Sequence, residues 1–429
     1  MRIVRYQDAG YAGFVQGMRR RAIPGDEVSG AVRDIVETVR EGGDEALCEL
    51  TAKFDGAEIS PDSLRVSAEE LAAARAQVSA ETVEAVAAAR RNIHDFAAQG
   101  MRQDWKKLNA EGVEVGERFV PFDRVGIYVP GGKAPLVSTA LMTGAFAQAA
   151  GVPEIVAMTP PGPDGSVNPN LLYALAEAGA TEIYKAGGAQ AVAALAYGTQ
   201  RVAAVDKIFG PGNRFVVEAK RQVVGAVAID LLPGPSEVLV IADETGKAAF
   251  LAADLIAQAE HGPDGEVGFL TDSEELLQAV EVEVARQLVD LPRREIAEKS
   301  LAAGGFLALV PDLAEAVRLC NDFAPEHLVL VAAEEEKWLD QVRTAGAIYV
   351  GNYAAVAVGD FLAGPSHTLP TAGAGRSFSG LRPDQFQRRT SVVRMDQAAL
   401  RRSQRVVEHF AEIEGLAGHG RSVSMRALE

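Results

Sequence analysis

An α/β protein with two doubly wound parallel sheets is the fold this sequence predicts, and three observations predict it. The chain has 429 residues, too many for one ordinary core at ~150 residues per domain. From Arg124 onward, short β-branched runs alternate with alanine-rich helical ones, which is the pattern of βα units feeding a parallel sheet. At Glu237 the alternation starts a second time, so the sheet architecture is repeated.

Before Arg124 the chain reads as helix. In AVRDIVETVREGG, Val32, Ile35, Val36 and Val39 recur at helical spacing, and Gly42-Gly43 supplies a stop. Ser67 and Glu70 form a capping box ahead of LAAARAQV, and Ser79 can cap the alanine-rich run through Phe96. The first βα series follows: VGIYVP and a helix from Leu136 to Ala150, EIVAMTPP and a helix near Leu171 to Ala178, TEIYKA and QAVAALAYG, VDKIF and GNRFVVEAKRQV. PPGPDGSVNPN, starting at Pro160, is a surface loop. The second series runs EVLVIAD, a helix to Ala259, EVGFLTD, EELLQAVEVEVARQL, GFLALV, LAEAVRLC, HLVLVA, EKWLDQVRT and AIYVG. After GRSFSG the chain turns polar and basic and ends in an arginine-rich helix and a tail.

Composition narrows the function classes. A hydrophobic share of 48% with 24% charged residues is the balance of a soluble globular protein, and no apolar stretch approaches the ~18 residues of a membrane span. The N-terminal MRIVRYQDAGYAGF lacks an apolar signal core, so a cytoplasmic protein is expected. A formal net charge of -17 repels polyanions and argues for small-molecule partners over nucleic acid or a membrane surface. Cys48 and Cys320 have no CxxC spacing, so any metal here needs nitrogen and oxygen ligands.

The chemistry-bearing residues sit at element ends. GPGNRF at Gly210 and GAGRSF at Gly373 do not complete a dinucleotide fingerprint, though IFGPGNRF places glycines at a strand-to-helix turn. Tight packing of that turn explains the glycines more simply than a phosphate does. Of six histidines, His94 and His409 lie in amphipathic helices and read as packing or surface residues. Gln258 and His261, three apart at a helix end, point to one face and could take two positions on one metal, although a plain helix-terminal histidine fits the same spacing. Asp360 and His367 flank a Gly-Pro turn, which Asp360 could simply cap, and His419 lies in a glycine-rich tail with little packing reason to be ordered. Gln258, His261, Asp360 and His419 together would make an N2O2 set suited to Zn2+. In NDFAPEHLVL, Glu326 and His327 put two proton-transfer groups side by side at the entry to an apolar strand, either as an acid-base pair or as the strand's polar lip.

Seven segments in order, VGIYVPGGKAPLVST, AGGAQAVAALAYGT, VDKIFGPGN, GPSEVLVIADE, DLIAQAEHGPD, FAPEHLVL and VGDFLAGPSHTLPT, resemble the histidinol dehydrogenase family over nearly the whole chain. The resemblance implies two Rossmann-like domains, a helical N-terminal arm and a C-terminal tail exchanged in a homodimer. The implied division is an arm over 1–22, one domain from 23–124 with 240–380, a second over 125–239, and the tail over 381–429. It implies NAD-dependent, four-electron oxidation of L-histidinol to L-histidine through L-histidinaldehyde, the last steps of histidine biosynthesis. It implies one Zn2+ per subunit, on Gln258, His261 and Asp360 with His419 of the other chain. Substrate contacts carry over to Ser236, Glu326, His327, His367 and Glu414 besides the metal ligands, and NAD contacts to Tyr128, Gln190 and Asn213. Glu326 and His327 are the expected catalytic residues. A related dehydrogenase of another small polar alcohol is the alternative, and Glu414 favours histidinol because its carboxylate can pair with an imidazole. A zinc hydrolase reading lacks the His-Glu-x-x-His helix it would need.

Overall fold

The chain opens with a strand, Arg2–Arg5 (β1), and a short helix, Tyr11–Gly17 (α1). Three helices follow, Ser29–Asp55 (α2), Ala68–Gln77 (α3) and Ala80–Gly100 (α4), then two strands, Trp105–Leu108 (β2) and Glu114–Pro121 (β3). The first βα series comprises Arg124–Tyr128 (β4), Val137–Ala149 (α5), Glu154–Thr159 (β5), Pro169–Glu177 (α6), Glu182–Lys185 (β6), Gly188–Tyr197 (α7), Lys207–Phe209 (β7), Arg214–Val223 (α8) and Ala228–Ile229 (β8). The second comprises Glu237–Ala242 (β9), Ala248–Ala259 (α9), Glu266–Thr271 (β10), Glu274–Gln287 (α10), Arg294–Gly304 (α11), Gly305–Leu309 (β11), Leu313–Phe323 (α12), His327–Val331 (β12), Glu335–Leu339 (α13), Ala347–Val350 (β13) and Val356–Phe361 (α14). A strand, Gln387–Arg394 (β14), and two helices, Gln397–Ile413 (α15) and Ala417–Ala427 (α16), complete the chain. The computed structural model describes residues 1–20, 28–131 and 135–428; Gly132–Ala134 of the first quoted motif and the expected boundary between residues 22 and 23 lie outside the described residues.

Two of the three sheets are wholly parallel. One has the order β6-β5-β4-β7-β8 and the other β1-β11-β10-β9-β12-β13; in each, the first strand of its series lies centrally and the chain reverses direction beside it. That reversal leaves a crevice between β4 and β7 and another between β9 and β12. The third sheet, β14-β3-β2, is an antiparallel ribbon that ties the C-terminal segment to the start of the first series.

Both parallel sheets bury two faces, and this fixes where the helices before β4 belong. Val32, Ile35, Val36 and Val39 of α2 pack with α7 and α8 on one face of the five-stranded sheet, and Val86, Ala89 and Ile93 of α4 pack with α5 and α6 on the other. Among the described helices, α2, α3 and α4 therefore cover the sheet of the first series. At the N-terminus β1 extends the six-stranded sheet by pairing with β11, Arg2 opposite Phe306. The stop expected at Gly42-Gly43 is a kink inside α2. Gly43 leaves helical geometry with φ 61°, and the freed Asp44 N–H donates to Gln200 Oε1 at 2.8 Å, so the helix can resume. The capping box of Ser67 with Glu70 and the Ser79 cap form as expected.

Candidate active site

Crossover helices in a parallel sheet run antiparallel to the strands, so their carboxyl ends return to the strands' amino ends. The second series uses this return to gather its polar residues. Gln258 and His261 lie at the end of α9, Glu326 and His327 at the junction between α12 and β12, and Asp360 near the end of α14. The cluster thus occupies the amino end of the crevice between β9 and β12, opposite the carboxyl end where open α/β sheets usually bind ligands.

The backbone of one residue anchors the acid-base pair. The Glu237 N–H donates to Glu326 Oε2 at 2.8 Å, and the Glu237 carbonyl lies 2.9 Å from His327 Nδ1. A carbonyl only accepts, so Nδ1 carries hydrogen and Nε2 is the free end of the ring. His327 Nε2 lies 3.4 Å from Asp360 Oδ1, close enough for charges to interact but without hydrogen-bond alignment, and both atoms are buried without partners. Burial raises the Glu326 pKa to about 8. Burial alone would lower His327, but the Glu326 and Asp360 carboxylates outweigh it and hold the imidazole raised.

His367 has no ring nitrogen to spare. Nδ1 donates to the Asp360 carbonyl at 2.9 Å, which leaves Nε2 to accept from the Thr139 hydroxyl at 3.1 Å, and burial lowers its pKa. Thr139 belongs to the first turn of α5, directly after β4, so this contact joins the second series to the first. Ser236 is half-buried beside Glu237, with its carbonyl so close to Gly265 that a Cβ there would lie 2.3 Å away.

The atoms present fit a cation. Gln258 Nε2 and Asp360 Oδ1 are buried and unpartnered, and rotating the Gln258 amide presents its oxygen in the same place. The His261 ring is open to solvent on its outer side, while the protein packed around it lowers its pKa and the Asp360 charge opposes that shift. Among the described residues no three His, Cys, Asp or Glu side chains gather as a metal group. The chain supplies here a histidine, an aspartate and an amide. Glu414 and His419 are exposed, Glu414 as the residue that ends α15 and His419 within α16, which packs on α15. The tail histidine lies in a helix, and among the described residues no hydrogen bond or ion pair joins it or Glu414 to the cluster.

The expected dinucleotide residues lie at the carboxyl end of the other sheet. Tyr128 ends β4 and its hydroxyl accepts from the Gly188 N–H at 3.1 Å; Gln190 Nε2 donates to Asp55 Oδ2 at 3.3 Å, which also accepts from the Gly187 N–H at 3.1 Å. Asn213 Oδ1 caps α8 through the Phe215 and Val216 N–H groups. Each side chain keeps one further function, the Tyr128 hydroxyl hydrogen, Gln190 Oε1 and Asn213 Nδ2. The turn after β7 needs its glycine: Gly210 has φ 113°, and a Cβ there would lie 2.1 Å from the Tyr128 carbonyl oxygen. Gly210→Ala should cost about 1–3 kcal/mol in denaturant unfolding and raise KM for the dinucleotide, since the turn between Tyr128 and Asn213 must shift.

Four residues at these places carry no signal in the sequence. Asp55 is one helical aspartate among several, and Thr139 one of several threonines near a helix start. Glu237 acts through its peptide, and Arg20 lies far away in the chain.

Two parallel sheets in nucleotide-binding strand order meet at Thr139 and His367, with a buried acid-base pair beside orphaned ligand atoms; this fold and site define a two-domain α/β oxidoreductase. The same fold class appears in an acetylating aldehyde dehydrogenase from Geobacillus thermoglucosidasius, with TM-score 0.50 at 15% identity over 89% of this chain and 94% of that one. The chain belongs to the histidinol dehydrogenase family, whose model matches residues 18–427. It is 48% identical over 400 residues to the histidinol dehydrogenase of Thermosynechococcus vestitus, covering 93% of each chain. It is 47% identical over 396 residues to that of Synechococcus sp., covering 92% of this chain and 91% of the relative. The crystal structure of histidinol dehydrogenase from Elizabethkingia anophelis superposes with TM-score 0.94 at 37% identity, over 99% of this chain and 98% of that one.

Proposed function

We propose that this protein oxidises L-histidinol to L-histidine through L-histidinaldehyde, passing a hydride to NAD in each of two successive steps at one site. The observation that carries the reading is the Glu326–His327 pair held by the backbone of Glu237, with His327 Nε2 and Asp360 Oδ1 left unpartnered beside Gln258 and His261. The first step moves the alcohol's hydroxyl proton to a base and its carbinol hydride to NAD. The second adds water across the aldehyde, loses one proton to a base and gives a second hydride to NAD. His327 Nε2 is the base for both, and Glu326 takes the proton from the attacking water. Tyr128, Gln190 and Asn213 bind the dinucleotide, and Ser236 and His367 line the substrate's side of the site.

Gln258, His261 and Asp360 would hold a zinc ion together with His419 of a second copy of the chain, and the ion would supply a template for the imidazole and amine nitrogens of histidinol. Exposed Val406, Phe410 and Ile413 form a stripe at helical spacing on α15, which supports a tail that packs on another chain in a homodimer. The reading places the reaction in the cytoplasm, with no nucleic acid or membrane partner; no described helix is long and apolar enough to cross a membrane.

NADH formation from L-histidinol, measured before and after treatment with a chelator and again after adding Zn2+, tests the reading. Activity should vanish with the metal and return with it; turnover that persists in a demonstrably zinc-free protein would remove zinc from the proposal. Glu414→Gln should raise KM for histidinol by about 10- to 100-fold, the value of one charge-assisted hydrogen bond, with zinc content unchanged. Metal analysis beside steady-state kinetics checks this, and a zinc loss equal to that of His261→Asn would make Glu414 a ligand instead.

A further inference from the structure

The residue whose backbone anchors both proton-transfer residues sits at the very start of a strand. Glu237 is the first residue of β9, paired with Glu266 on β10, whereas the ladder to β12 begins only at Val238 opposite His327. Element ends open more readily than their middles, so an anchored side chain there steadies the backbone that carries it. The Glu237 carboxylate is buried and gripped on both oxygens: Arg20 donates from Nη1 to Oε1 at 2.7 Å and from Nη2 to Oε2 at 3.0 Å, and the Ala372 N–H donates to Oε1 at 3.0 Å.

Arg20 also reaches the other side of the pair. Its guanidinium lies 3.4 Å from the centroid of the Phe323 ring, donates to the Phe323 carbonyl at 3.3 Å, and meets Glu266 at 2.8 Å. Phe323 ends α12, three residues before Glu326. Backbone strain is found at the same place. Among the described residues, the two non-glycine residues with left-handed backbone are Ala324, φ 52°, which precedes Pro325 and Glu326, and Ala372, φ 51°, which donates to Glu237. Such conformations cost about 1–3 kcal/mol each and persist where surrounding contacts over-determine them.

We infer that Arg20 and Glu237 are positioning residues for the reaction, and that their ion pair fixes the Glu237 backbone so that His327 is held with hydrogen on Nδ1 and Nε2 open while Glu326 is held by one oxygen. The inference rests on the roles proposed above for Glu326 and His327. Arg20 acts from the N-terminal segment, through a carboxylate and then a peptide, on groups it does not touch.

The test uses the zinc-loaded enzyme carrying Arg20→Met, Arg20→Lys or Glu237→Gln. In Arg20→Met and Glu237→Gln, kcat should fall on the order of 10- to 100-fold, as for a misplacement near 1 Å, while KM for histidinol and NAD stays within about threefold and zinc content is unchanged. Arg20→Lys, which keeps the charge but not the two-pronged geometry, should recover part of the loss. A structural role alone would not move the next readout. With 15N-labelled histidine, and His327 identified by its absence in His327→Asn, the ring on the alkaline side of its titration should show one tautomer, Nδ1–H, in the wild type and a mixture in the variants. Wild-type kcat in either folded variant, or a fall in kcat with an unchanged tautomer, overturns the inference, as does failure of both Arg20→Met and Glu237→Gln to fold. Wild-type protein inactive on L-histidinol would sink the functional reading instead, because the tautomer measurement needs no turnover.

Discussion

His327→Asn should slow single-turnover oxidation of both L-histidinol and L-histidinaldehyde, by about 10²- to 10⁴-fold, the usual worth of a positioned general base. Glu326→Gln should slow the second oxidation by a comparable factor and leave the first hydride transfer nearly intact. The geometry separates the two. His327 Nδ1–H is committed to the Glu237 carbonyl, so only Nε2 can take a proton, and asparagine offers no group of comparable basicity there. Glutamine at 326 can still accept the Glu237 N–H, so the anchor survives while the acid-base function is lost. Each substrate is mixed with enzyme and NAD in a single turnover, which isolates the step from product release. Equal depression of both oxidations by Glu326→Gln would mean that the carboxylate orients His327 or the substrate and does not activate water.

The fold was legible wherever a period of two or 3.6 residues survived in the sequence, and the misses share one cause. The α2, α3 and α4 helices announced an apolar face, as Val32, Ile35, Val36 and Val39 do, but a face says nothing of which sheet it covers. β1 is four residues long and pairs with a strand three hundred residues later in the chain, beyond the reach of any local pattern. β14 is exposed along nearly its whole length, so it lacks the apolar alternation that betrays a strand. α11 sits between two elements that the sequence announces, but its REIAEKSLAAG is too weakly amphipathic to announce itself.

In the site, side chains that face the crevice at element ends were legible because proline, glycine and histidine mark such ends. Residues acting one bond further back were not. Glu237 holds the pair through its N–H and C=O, which every residue but proline possesses, and Thr139 works through a hydroxyl that capped or packed threonines share. The amino-end location was also hidden, because strand order gives a crevice two ends and only the coordinates show which end the carboxyl termini of α9 and α14 fill.

Mixing two inactive variants, His261→Asn and His419→Asn, under conditions that exchange subunits should restore activity from almost nothing to about a quarter of the wild-type value per chain. The proposed site draws Gln258, His261 and Asp360 from one copy and His419 from another. His261 lies at the amino-end crevice, whereas His419 is exposed on α16, which packs on α15. In a two-fold dimer, a hybrid of the two variants carries both lesions in one site and neither in the other. Random exchange makes about half the dimers hybrid, each with one working site of two, which gives the quarter. The arithmetic discriminates, because a tail that folds back on its own chain leaves every site with one lesion at any mixing ratio. Exchange is verified by tagging one variant and recovering the other with it, and zinc per dimer should rise in step with activity. A mixture that exchanges fully and stays inactive would put His419 in its own protomer's site.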